Sequence, residues 1–420
     1  TTSSQNVAVG YAALNLATTG ANNTAVGVNA LTATTTGDNN VAVGLAALAA
    51  NTTGHSNIAI GQSALDACTT GIRNTAIGKD ALTECTTGGT NVAIGTFALN
   101  NNTTASDNTA VGYHSLVTNT TGAANVAIGP YALDANTTAS YNIGIGYTAL
   151  SNSTTGAFNT AVGHAALAGN TTGTLNTALG AGALDAVTTN GYNVALGADA
   201  LTNCTGGYNT VAGTYAGNNV STGSTNTFMG YQAGHYSTSI TTGSDNTCIG
   251  AYAHANSASA VSQLVFGYNA EGQGNSTVTF GYAATDLSCA LNSTSWSNPS
   301  DVRLKENIED EKIGLSFINE LRPVTFKWKK EKDVPNELRA HVADSEERVM
   351  GGGSHHGFIA QEVKEAIDKY NFKDGFDMWT EDETDGRQRV GETALLPIMV
   401  KAVQELSAKV EELESKLNGE

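Results

Sequence analysis

Few residues in this chain stand at spacings that could do chemistry. His55, His114, His164, His235 and His254 show neither H-x-H nor H-x-x-x-H spacing, so no metal site within one chain is expected, although a site on an axis shared by several chains stays open. Gly144-Ile145-Gly146 and Gly272-Gln273-Gly274 look like pieces of phosphate-binding loops, but no strand–helix–strand unit surrounds them. Asn51-Thr52-Thr53 fits a glycosylation sequon, yet it recurs because a turn recurs. Cys68, Cys85 and Cys204 each stand seven residues after a repeating glycine, in a column that otherwise holds Asn, Ala, Thr, Ser or Val. They read as small fillers, although Cys68 and Cys85 are one repeat apart and could in principle bridge. The odd total of five cysteines gives no disulfide framework. Ser300 and Lys305, five residues apart, specify nothing by spacing alone, and an exposed loop accounts for them better.

The elements that carry these residues follow from composition. The chain has 420 residues with 47 Gly, 14% charged side chains and a formal charge of −18, against roughly 25% charged in an ordinary soluble domain. That balance repels nucleic acid and anionic membranes, and neither is expected as a partner. The longest apolar run, Val41 to Ala50, stops at ten residues, well short of the ~20 a membrane-spanning helix needs. Thr1 in place of Met suggests a processed form or a piece of something longer. Residues 1–300 hold 11 acids and 2 bases, while residues 301–420 hold 27 and 18. Two different polymers therefore meet near residue 300.

The first is a repeat. The glycine closing N-[T/V]-A-[V/I/L]-G recurs every 17 residues from Gly10 through Gly197, then less regularly at Gly213, Gly230, Gly250, Gly267 and Gly281. Such constancy means one coil per repeat, with equal positions stacked. Asn-Thr-Ala-Val reads as a strand and Thr-Thr-Gly as a turn. A parallel β-solenoid follows, and about 15 coils at ~4.8 Å each make a rod of roughly 70 Å.

Four residues before the glycine stands Asn in fifteen coils, from Asn6 to Asn246, which predicts a buried amide ladder. One before it is Val, Ile, Leu or Met; two before it, Ala in nearly every regular coil; four after it, Leu from Leu14 through Leu201. Neighbouring strand residues face opposite ways. The aliphatic column is expected inside the coil, and the Ala column, held to one methyl, against another chain. The alternative places Ala inside a narrow monomeric solenoid. Restriction on both faces argues for an oligomer about a threefold axis.

This pattern resembles the head repeats of trimeric surface adhesins and the shafts of phage tail fibres over roughly residues 5–285. The resemblance implies a trimeric left-handed β-roll. Residues 1–206 form the regular shaft. Residues 207–299 form an irregular distal part holding 11 aromatic residues, Tyr208, Tyr215, Phe228, Tyr231, Tyr236, Tyr252, Phe266, Tyr268, Phe280, Tyr282 and Trp296, against 8 in the whole shaft. These fit either a capping core or a surface for a receptor such as a glycan.

Residues 300–420 hold Ser300-Asp301-Val302-Arg303-Leu304-Lys305-Glu306-Asn307-Ile308, Leu321-Arg322-Pro323-Val324-Thr325-Phe326-Lys327-Trp328, and His356-Gly357-Phe358-Ile359-Ala360-Gln361-Glu362-Val363. The set closely resembles the C-terminal intramolecular chaperone of phage tail spikes and fibres, a self-cleaving peptidase-type domain. The resemblance implies that Ser300 is the nucleophile and Lys305 its general base. A lysine can take that proton only when neutral, which needs burial or cationic neighbours such as Arg303. Pro299, just before the serine, leaves open which side is cut.

A closing helix follows Pro397. Leu396, Met399, Val403, Leu406, Val410, Leu413 and Leu417 repeat at 3-4 spacing, a coiled-coil seam over 396–417, or else one face of a helix packed on its own domain. Near-identical coils specify register poorly, because a 17-residue slip preserves most contacts. A C-terminal unit that trimerises first would set it. The reading is mainly β: a trimeric solenoid of 17-residue coils followed by an α+β chaperone domain. The chain is expected to be a homotrimeric virion tail fibre at the extracellular surface. Its partners would be itself, a host-cell surface receptor and baseplate or fibre components, with no cofactor, no metal and no membrane insertion. Any enzyme activity would be single-turnover self-cleavage. A bacterial surface adhesin is the alternative, ahead of a glycan-degrading spike or an ice-binding solenoid.

Overall fold

The computed structural model describes residues 3–419, apart from 236, 284, 294–295, 298–299, 371–377 and 383–384. The chain divides into two compact units, Thr1–Pro299 and Ser300–Glu420.

In the first unit each repeat contributes one three-residue strand, beginning with Val7–Val9 and Thr24–Val26. Every strand pairs in parallel with the next at an offset of one coil, so Ala25 lies beside Ala42 and Ala42 beside Ala59. The sheet runs unbroken to Leu264–Phe266 and Thr277–Tyr282. There it ends in an antiparallel hairpin with Thr285–Ala290, which covers the last parallel edge.

The amide ladder forms as the sequence predicts. Asn57 donates its backbone N–H to Asn40 Oδ1 at 3.0 Å and its side-chain amide to the Gly71 carbonyl at 2.9 Å. The same bonds recur from coil to coil, and Asn23 through Asn246 are fully buried. On the Thr-Thr turn, the Thr35 hydroxyl donates to the Thr52 carbonyl at 3.1 Å, and Thr52 likewise to Thr69. The ladder amides and these threonine hydroxyls thus find partners in the neighbouring coil.

The facing of the two strand columns corrects the sequence expectation. Ala25, Ala42, Ala59 and Ala76 point inward and are fully buried. The aliphatic column points out: Ile60 is 38% exposed and Leu179 50%. The cause lies across the coil. Leu31, Leu48 and their equivalents fill the interior from the opposite side, holding the left-handed backbone region at φ of 51–55°. Little more than a methyl group fits between. At Gly144, the one regular coil without Ala, an added Cβ would sit 3.3 Å from Leu133 Cγ.

The closing glycine is required twice over. Gly44 has φ +137°, and a Cβ there would lie 2.5 Å from the Gly61 carbonyl oxygen. Late coils change their filling by compensation. Phe228 replaces Ala in the inward column and is 1% exposed, while Gly217 and Gly234 stand where regular coils carry Leu. The phenyl ring takes the space those leucines leave.

In the second unit, Val324–Phe326 pairs antiparallel with His355–Gly357, and Trp379–Glu381 with Gln388–Val390. Three α-helices accompany them: α1 (Leu315–Ile318), α2 (Ala360–Lys369) and α3 (Leu395–Asn418). Phe317, Val363, Ala366, Ile367, Met378, Leu395 and Ile398 form the core. Helix α3 begins two residues before Pro397, in the first turn, where a missing N–H removes no helical bond.

Candidate functional site

The element carrying Ser300 and Lys305 is short and local. Asp301 caps the single 3-10 turn Val302–Leu304 by accepting the Arg303 backbone N–H at 2.9 Å. That turn folds the chain back so that Lys305 Nζ donates to Ser300 Oγ at 2.7 Å. A serine and a lysine that spacing could not join are therefore in direct contact, in the geometry a nucleophile and its base need.

Arg303 does not take the part expected of it. Its guanidinium forks onto the Asp301 carboxylate, at 3.0 Å from Nε and 2.6 Å from Nη2. This pairing holds the Asp301 carboxyl below its ordinary range, first through the side-chain bond and then through the backbone bond. The arginine charge is paired with its own neighbour.

Every residue from Ser300 to Glu311 is exposed, including the large apolar Val302, Leu304 and Ile308. An apolar cleft of about 820 Å³ lies elsewhere in the unit, lined by Phe326, Trp328, Leu338, Met350, Phe358 and Val390. Neither Ser300 nor Lys305 lines it.

The other two motif segments meet each other. The strand of Val324–Phe326 lies beside His355–Gly357, with Thr325 opposite His356. Arg322 Nε donates to Glu362 Oε2 at 3.0 Å, tying the first segment to the start of α2. Lys369 at the other end of α2 donates to Glu320 at 2.7 Å. These exposed pairs fix orientation more than they stabilise.

Helix α3 answers the question its spacing left open. Leu395, Ile398 and Ala402 bury one face against the domain, whereas Leu396, Met399, Val403, Leu406, Val410, Leu413 and Leu417 are all exposed. The 3-4 seam is thus a different face from the one its own domain uses.

Among the described residues no group of three His, Cys, Asp or Glu side chains could hold a metal ion. His254 occupies the inward Leu position of its coil, 4% exposed, with Nδ1 2.9 Å from the Tyr252 carbonyl and Nε2 3.3 Å from Ser237 Oγ. All five cysteines are free and buried. The Cys85 side chain and burial push the Cys68 thiol up, and burial alone pushes Cys248 up to about 12.

Of the eleven distal aromatics, Phe228 is core filling, while Tyr236 lies outside the described residues. Tyr208 stacks on Tyr192 at 4.8 Å and 4°, so aromatic contacts run across the 206/207 boundary. Sequence counting missed a column five residues before the glycine. There Tyr141, Phe158, Leu175, Tyr192 and Tyr208 stand exposed on consecutive coils, all at φ of 59–63°. The other coils put mostly small or polar residues such as Asn, Ser, Thr and Asp at that left-handed position, and comparing the column would have shown the change.

No curated protein and no solved structure matches the chain, and among the described residues no helix is long and apolar enough to cross a membrane. Residues 300–372 match the Peptidase S74 family, described as chaperone of endosialidase. The chain therefore joins a parallel β-solenoid to a C-terminal chaperone-of-endosialidase domain, the make-up of a tail fibre or tail spike that carries its own chaperone.

Proposed function

We propose that the protein is a homotrimeric fibre of a virion tail, structural and adhesive, whose C-terminal unit gathers three chains, sets their register and then cuts itself at Ser300. The observation that carries this reading is the seam of α3. Seven large apolar side chains over three heptads face away from their own domain, an arrangement a single chain in water does not sustain without a partner. The outward aliphatic column of the solenoid adds a second uncovered apolar stripe. With Ala facing inward, this stripe rather than the Ala column is the surface offered to neighbouring chains.

Assembly also supplies what the Ser300–Lys305 pair lacks. Lys305 is exposed to water in one chain. Covering Val302, Leu304 and Ile308 with neighbouring protomers removes that water and favours the neutral amine. Nζ then takes the hydroxyl proton as Oγ attacks the adjoining peptide carbonyl. The peptide C–N bond breaks as Nζ hands that proton to the departing amine, and water hydrolyses the ester to a carboxylate and the free serine hydroxyl. Cutting is thereby tied to completed assembly.

Native mass spectrometry of the full chain beside a denaturing gel tests both parts. The expected native mass is three times the 43.0 kDa of one chain, or three times the larger fragment where the C-terminal piece leaves. Wild type is expected to show two bands and Ser300→Ala one. A soluble monomer overturns the fibre reading, and identical full-length bands overturn self-cleavage.

A further inference from the structure

We infer that the tyrosine ladder of the last coils is a binding track for a linear, uncharged polysaccharide lying along the solenoid, about one sugar per coil. This rests on the adhesive reading above and names the ligand class.

Tyr215, Tyr231, Tyr252, Tyr268 and Tyr282 stand one or two residues after the closing glycines of five consecutive coils. Their ring centroids follow one another at 6.4, 5.4, 5.7 and 5.5 Å. Tyr215, Tyr231, Tyr268 and Tyr282 are between 39% and 67% exposed. Among the described residues the phenol hydroxyls of these four bond to no protein group.

Three features separate this ladder from ordinary packing. Every member is tyrosine, where a ridge needed only for burial would accept Leu, Val or Phe. Tyr215 and Tyr252 hold φ of 57° and 62°, a region that bulky side chains disfavour, at a position most earlier coils fill with small or polar residues such as Ala, Asn, Ser or Asp, and three fill with Phe97, His114 and Tyr131. The first three contacts are near perpendicular, at 79°, 89° and 89°. Edge-to-face neighbours cover one another less than face-to-face stacks do, and leave ring surface open for a ligand.

The geometry selects a sugar chain. Coils repeat at ~4.8 Å, close to the length of one pyranose. The charge selects a neutral one. Residues 207–299 contain no Lys or Arg, and their only acids are Asp245, Glu271 and Asp286. Carboxylated or sulfated polymers would meet no cation here and three anions.

The test uses the full chain with three soluble probes: a β-1,4-glucan, a galactomannan and alginate as the anionic control. Affinity electrophoresis or calorimetry reads binding, and native mass is recorded for every variant. At least one neutral polymer is expected to bind, with little dependence on salt, and alginate is not. Tyr231→Ala with Tyr268→Ala should weaken binding about tenfold or more at unchanged native mass. Tyr231→Phe with Tyr268→Phe should keep the stacking and lose only a few-fold. Failure of both neutral polymers to bind the wild type, undiminished affinity of the double Ala variant, or preference for alginate overturns the inference. A lower native mass for the double Ala variant assigns the ladder to contact between copies of the chain and overturns it too. A trimer that binds no neutral polymer refutes the ligand alone, whereas a monomer refutes the fibre reading.

Discussion

The solenoid and the C-terminal unit handle the same chain in opposite ways. In the solenoid each coil repeats one set of contacts: Asn on Asn, Leu over Ala, glycine against glycine carbonyl. Stability accumulates with every coil, but one coil is as good a neighbour as another. The C-terminal unit has a small core in which Phe317, Met378 and Ile398 each occur once and fit once. It carries most of the charge and specific ion pairs such as Arg322–Glu362. Repetition supplies cohesion without an address, whereas an unrepeated core fits in one way only. On the proposed function, that difference is the reason to join two such unlike polymers.

The sharpest way to break this comparison is to remove one side. Deleting residues 301–420 is expected to leave aggregates or monomers, because parallel pairing is slow and many registers compete. A correctly sized, soluble rod from the truncated chain, read by light scattering, would show that the coils find register unaided.

Within the solenoid the next largest effect falls on the amide ladder. Asn91 donates to Asn74 Oδ1 and to the Ala105 carbonyl, and accepts the Asn108 backbone N–H at 3.0 Å. Asn91→Ala leaves that buried N–H without its partner, at a cost of about 1–3 kcal/mol. The expected reading is a lower urea midpoint at unchanged slope. A midpoint equal to the wild type would mean that the ladder only accompanies folding.

The smallest effect concerns Asp66. Burial raises its carboxyl above the ordinary range, with the charges of Glu84 and Asp80 adding to it. The folded state therefore keeps this proton at a pH where the unfolded chain has lost it. Folding is opposed increasingly as pH rises through that interval, and the penalty is complete above the folded value. Asp66→Asn should raise the thermal midpoint slightly at pH 7 and leave it unchanged well below the ordinary Asp range. An equal shift at both values would assign the effect to packing instead.

The period and the buried Asn column were legible because a 17-residue recurrence leaves few ways to stack. Which strand face turned inward was not. Alternation separates Ala from Val but does not label the sides, and the label came from Leu31 and Leu48 entering from across the coil in a left-handed conformation. A hint was present, since over the regular coils the outward column mixes Val, Ile and Leu while the inward one is Ala in all but one. The Ser300–Lys305 contact was legible only through resemblance, as the turn that makes it depends on the Asp301 cap. Arg303 was misjudged because the acid two residues before it lies within reach. The two faces of α3 overlap in spacing, so separating Leu395–Ile398–Ala402 from the seam needed the packed domain.

Because each strand pairs in register with the next over one full coil, a rod of this kind can gain or lose whole coils without disturbing any interior. Its length is then free to drift in steps of seventeen residues through unequal recombination between repeats. Reach toward a surface can be tuned by copy number alone, while the ends that give the molecule its identity stay as they are.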